Sequence, residues 1–139
     1  MTRRAVSREN LEIVKLAYEA FARGGLARYM CHFTGDIDYR AVETAPDDHG
    51  PIAGKDAFRA WLQDWIDMFD EFKMEPLELI DAGEKTVVVA ERYGGRAKLS
   101  GIDMHSTVWI VLTIRDGKLA HGREYPSREQ ALEAAGLGG

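Results

Sequence analysis

The chain is short of cysteine, of basic charge and of long apolar runs, and each shortage closes off a class of protein. Cys31 is the only cysteine, so neither an intrachain disulfide nor a thiolate metal cluster can form. Beside Met30 and Phe33 it reads as packing. No stretch approaches membrane-spanning length, and the first thirty residues lack the apolar core of a secretory leader. A reducing cytoplasm is therefore the expected compartment. Lys and Arg number 18 against 23 Asp and Glu, a net charge of −5, which argues against a nucleic-acid partner because phosphates need a basic surface. His32, His49, His105 and His121 show no paired-ligand spacing and no acidic cluster beside them, so no metal is expected. No glycine-rich phosphate loop follows a strand, and no cofactor is implied.

What remains is an ordinary globular composition, with 139 residues of which 45% are hydrophobic and 29% charged. Residues 1–139 are expected to form a single domain. Ser7 caps an expected helix with Glu9 in its first turn, and Leu11, Val14, Ala17, Tyr18 and Phe21 form its apolar stripe. Gly24-Gly25 stops it, and Leu26 to Phe33 reads as a second, short helix closed by Gly35. Asp36 to Val42 reads as a strand, followed by a loop from Glu43 to Gly54. Asp56 opens a long helix with Phe58, Trp61, Leu62, Trp65, Ile66 and Phe69 on one side.

From Phe72 the period changes to that of strands: Phe72 to Ile80, Thr86 to Tyr93, Met104 to Ile114 and Leu119 to Tyr125. Asp116-Gly117 is a hairpin signal between the last two. Ser127 and Gln130 cap a final helix, Glu129 to Ala135. The order implies an α+β domain: a curved antiparallel sheet with helices on its concave face. Met104 to Ile114 is apolar at nearly every position, so both of its faces should be covered. Helices can cover one face, and the other suggests a second copy of the chain, with His105, Thr107, Trp109 and Val111 at the contact.

The carboxyl end, Arg123-Glu124-Tyr125-Pro126-Ser127-Arg128-Glu129-Gln130-Ala131-Leu132, preceded by Arg115-Asp116-Gly117-Lys118-Leu119, resembles the terminal motif of SnoaL-like proteins. Ala20-Phe21-Ala22-Arg23-Gly24-Gly25-Leu26, Asp36-Ile37-Asp38-Tyr39 and Gly54-Lys55-Asp56-Ala57 extend the similarity over roughly residues 7 to 137. These proteins belong to the nuclear transport factor 2-like superfamily, and the resemblance implies its cone-shaped fold. It is weak for chemistry, because the superfamily holds isomerases, cyclases, epoxide hydrolases and adaptors.

Carried over by position, the resemblance puts Tyr39, Arg92 and Glu124 in a pocket as catalytic candidates. Alternation sets Glu124 on the face of Gly122 and Ala120, with Ser106, Val108, Ile110 and Leu112 lining the same space. Trp61 and Trp65 are core positions that can also wall it. SnoaL-like polyketide cyclases carry an acid/base carboxylate where Glu124 stands. Limonene epoxide hydrolase has matches at Tyr39, Arg92 and Glu124, but its water-holding Asn is Ala41 here and its second Asp is Gly94. Ketosteroid isomerase would need acids at Ala41 and Ile110, and its helix-one tyrosine lies one residue out of register with Tyr18. Arg92 and Glu124 either face a ligand or pair with each other as a structural ion pair. The expected function is binding of a small apolar ring compound, by a cofactor-free cyclase or isomerase or by a non-catalytic binding protein.

Overall fold

The computed structural model describes residues 3–42 and 50–137, with side chains from residue 8 onward. The side-chain cap at Ser7 and the loop histidine His49 lie outside the described residues. Helix α1 (Arg3–Met30) starts four residues before Ser7 and absorbs the expected short second helix. The break between them is real: Gly25 leaves helical geometry at φ 70° and ψ −162°, a conformation that glycine adopts at no steric cost. Val14, Ala17, Tyr18, Leu26, Tyr29 and Met30 form the buried side of the two segments. Cys31 and His32 make the turn out of the helix through N–H bonds to the carbonyls of Arg28 and Tyr29. Strand β1 (Phe33–Arg40) therefore begins earlier than its alternation suggested, and Gly35 lies inside it.

A two-residue strand, β2 (Ile52–Ala53), precedes helix α2 (Lys55–Asp67), which buries Phe58 and Leu62. The remaining strands are β3 (Lys73–Asp81), β4 (Thr86–Arg96), β5 (Asp103–Arg115) and β6 (Lys118–Tyr125), followed by α3 (Arg128–Ala134). Asp116 and Gly117 both have positive φ, 52° and 75°, as the tightest hairpins require. Ser127 accepts the Gln130 N–H at 3.2 Å, so the expected cap of α3 is present.

The six strands lie in the order β2-β1-β6-β5-β4-β3. One pairing corrects the expected all-antiparallel sheet: β1 runs parallel to β6, with Tyr39 opposite Gly122 and Arg40 opposite Arg123. The sheet is mixed because β1 comes early in the chain and inserts beside the last strand. Helices α1 and α2 pack on one face, over Val87, Val89, Val108, Ile110, Leu112 and Leu119. The other face is not bare, which corrects a second expectation. Helix α3 packs there against β4, β5 and β6, burying Ala131 completely. Its Arg128 lies 5.8 Å from the ring centre of Trp109 and 3.3 Å from Glu78.

Candidate active site

Between α1, α2 and the sheet lies a cavity with about 40 Å³ of free space, enough for roughly three waters or a compact group of a few heavy atoms. Most of its wall is aromatic: Tyr29 from α1, Tyr39 from β1, Phe58, Trp61 and Trp65 from α2, Phe72, and Tyr93 from β4. These rings also hold one another. Tyr39 and Trp61 are 5.3 Å apart between centroids, and Trp65 meets Tyr93 edge-on at 5.4 Å.

Two carboxyl groups, Glu91 and Glu124, open into this aromatic space. Glu91 comes from β4, paired with Val108, and Glu124 from β6, paired with Ile110. Each is tied to a buried phenol. The Tyr18 hydroxyl donates to Glu91 Oε1 at 2.8 Å. The Tyr39 hydroxyl donates to Glu124 Oε2 at 2.5 Å, and the Val42 N–H donates to Glu124 Oε1 at 3.2 Å. Glu91 Oε2 and the Tyr29 hydroxyl make no hydrogen bond among the described residues.

The environment separates the two acids. Burial pushes Glu91 up to about 8, and the charge of Glu124 adds to that rise against the pull of the Tyr18 hydroxyl. Glu124 is also raised by burial, but the Tyr39 hydroxyl and the Val42 N–H work the other way by stabilising its charged form. Charge on Glu124 helps keep the proton on Glu91. The two neighbouring carboxyls are thus inequivalent: the hydrogen bonds favour the charged form at Glu124, and burial and the neighbouring charge favour the neutral form at Glu91. Burial also raises the phenols of Tyr18, Tyr29 and Tyr39 well above their usual range, so they act as hydrogen-bond donors.

Of the residues singled out in the sequence, Tyr39, Glu124, Trp61 and Trp65 come together at this cavity. Arg92 does not, and both readings of it are corrected. It lies across β4 from Glu91, beside Thr107, with its side chain 47% exposed and 3.9 Å from Glu75. It faces neither ligand nor Glu124. Val108, Ile110 and Leu112 are buried beneath the cavity in the core and do not line it. Gly122 is covered by the Tyr39 ring: a Cβ there would fall 2.6 Å from the ring edge. Gly122→Ala should therefore displace Tyr39, break its bond to Glu124, and cost about 1–3 kcal/mol. Urea unfolding checks the cost, and unchanged stability would show that the ring can move aside.

Glu91, Tyr18 and Tyr29 are the site residues that sequence reasoning missed. Glu91 shares alternation parity with Tyr93, a large aromatic on the same strand, and that was the available signal. Among the described residues no group of three metal-ligating side chains occurs. No helix among them is long and apolar enough to cross a membrane.

An α+β sheet of this order, closed over an aromatic cavity by two helices, defines a known class of small proteins. The model of the SnoaL-like domain matches residues 14–122, most of the chain, and the chain belongs to that family within the nuclear transport factor 2-like superfamily. The match stops just short of Glu124. Solved structures agree in fold. Bal32a from a soil-derived mobile gene cassette is 21% identical over 86% of this chain and 90% of its own, with a TM-score of 0.73. A protein named as a SnoaL-like polyketide cyclase from Jannaschia sp. CCS1 is 17% identical over 99% and 97%, with a TM-score of 0.72. TerC, co-crystallised with polyporic acid, is 18% identical over 92% and 98%, with a TM-score of 0.71. Among curated proteins none matches the chain.

Proposed function

We propose that the cavity binds one end of a small, largely apolar ring compound and that the chain acts on it by proton transfer, as a cofactor-free cyclase or isomerase. The observation that carries this reading is the pair of carboxyls in one aromatic space, with the environment favouring a base at Glu124 and an acid at Glu91. Glu124 removes a proton from the ligand. Glu91 supplies one, or a hydrogen bond, where negative charge develops, and the Tyr29 hydroxyl adds a second donor. The ring body rests at the mouth, where Trp61, Trp65, Phe72 and Tyr93 are only half-buried. Same-fold proteins named as a polyketide cyclase and as a complex with polyporic acid support an organic ligand. Arg92 has no place in this chemistry.

A thermal-shift screen tests the binding half, since a ligand that binds only the native state raises the melting temperature. Apolar ring compounds should stabilise the protein and sugars or nucleotide phosphates should not; the reverse order sinks the reading. For any neutral compound turned over, Glu124→Gln should keep binding nearly intact and lose roughly a hundredfold or more in turnover, the scale of an acid/base group. Full activity in the Gln variant would assign Glu124 to structure instead.

We also propose a homodimer through the sheet face that carries Trp109 and Val111, both only partly covered by α3. Trp109→Glu should give monomers or insoluble protein, because it puts a charge into the desolvated contact. Sedimentation of the wild type as a monomer at micromolar concentration would rule this assembly out.

A further inference from the structure

The charge in the cavity is unbalanced. Its lining contains two carboxyl groups and no Arg, Lys or His. The groups facing Glu91 are Tyr18 and Tyr29 from α1, Tyr39 from β1, Tyr93 two residues along β4, and Glu124 from β6. Every one of them is an acid, so no lining side chain supplies the positive partner that buried carboxylates ordinarily have. Glu91 is only 8% exposed and lines the cavity, and its Oε2 has no hydrogen-bond partner among the described residues. Around it stand the rings of Trp61, Trp65, Tyr39, Phe58 and Tyr93, and the faces of such rings attract cations. A divalent metal would not find enough oxygen ligands among aromatic walls.

We propose that the cavity recognises a compact ammonium group, the tertiary or quaternary amine head of a ligand whose apolar body lies at the Trp61–Trp65 mouth. The small free space suits such a compact head. A methylated amine gains more from the ring walls than a primary amine, which needs several hydrogen-bond acceptors around it. The inference rests on the cavity being the ligand site and is independent of any catalytic step. It carries a charge balance: as the cation enters beside Glu124, Glu91 gives its proton to solvent and becomes the second carboxylate, so toward an amine ligand Glu91 is a binding group and not the acid. Binding should therefore release a proton and strengthen as pH rises.

The test uses three probes of similar shape and different charge, namely tetramethylammonium, tert-butanol and pivalate, titrated into the full chain by NMR of the indole N–H signals. Tetramethylammonium should bind best and pivalate worst. The cation's affinity should rise roughly tenfold between pH 6 and pH 8, one pKa unit's worth of coupling. Calorimetry in buffers of different ionisation heat should show about half a proton released on average over that range. Glu91→Gln should flatten the pH dependence, and Glu124→Gln should weaken the cation at least about tenfold, because it removes one of the two carboxyls that face it.

Equal or tighter binding of tert-butanol, binding of the cation without proton release, or an unaffected Glu124→Gln variant would each overturn the inference. So would no binding of tetramethylammonium at tens of millimolar. If neutral ring compounds bind while the cation does not, this inference falls and the cavity stands as a ligand site. If no compound of any charge binds, both fall.

Discussion

Glu91→Gln should make the protein more stable above neutral pH, although it removes a buried hydrogen-bonded side chain. The folded state holds the Glu91 proton to about pH 8, against an ordinary value of 4.5. Between those two pH values the native state binds more protons than the unfolded chain, so stability falls as pH rises. The contribution is fully present below the unfolded value and lost as pH climbs through the folded one. Gln stays neutral throughout and keeps a carbonyl oxygen for the Tyr18 hydroxyl. At pH 5 the two proteins should differ by less than about 1 kcal/mol, and at pH 8.5 Gln should lead by roughly 2–4 kcal/mol. Urea unfolding across this range measures both. Parallel curves would mean that Glu91 ionises freely in the folded state, and its role as the acid would go with that result.

A second large effect is expected at Gly94, the position where the resembling epoxide hydrolase carries an aspartate. Gly94 has φ 144°, and a Cβ there would lie 1.9 Å from the Met104 carbonyl oxygen on the neighbouring strand. The colliding atom is backbone in the middle of a paired ladder, so no side chain can swing away to relieve it. Gly94→Asp should cost more than about 3 kcal/mol and leave the protein unfolded or insoluble, not convert it into a hydrolase. A folded Gly94→Asp protein with near-native melting would disprove this. The hydrolase template thus fails at Gly94 for a steric reason as well as for want of an acid.

The elements were largely legible in the sequence, because each was read from its own residues. The stripe from Leu11 to Phe21, the break at Gly25, the Asp116-Gly117 turn and the Ser127 cap are local features, and local physics decides them. The parallel pairing of β1 with β6 leaves no local mark and could not be read. Within the site the same division holds. Glu124 was assigned to the inward face because its strand alternates plainly, with Ala120 and Gly122 against His121 and Arg123. Strand β4 gives no such help. Val87, Val88, Val89 and Ala90 are all buried, since α3 covers the face that would otherwise be polar. Its parity was therefore hidden and could not check the resemblance, which put Arg92 where Glu91 stands. Tyr18 and Tyr29 depend on how α1 lies across the sheet, which no helical pattern states.

The parallel neighbour of β1 also orders events during synthesis. Tyr39 and the carboxyl it serves are 85 residues apart, and β6 is the last strand of the chain. A ribosome-bound chain will have made both helices that wall the cavity, and β1 as well, long before the strand that β1 must lie against emerges. Closing so long a loop is slow relative to hairpin formation, so the hairpins among β3, β4, β5 and β6 should form before β1 docks. Glu124 is thus set in place after Glu91, and Tyr39 reaches it in the same step that completes the sheet.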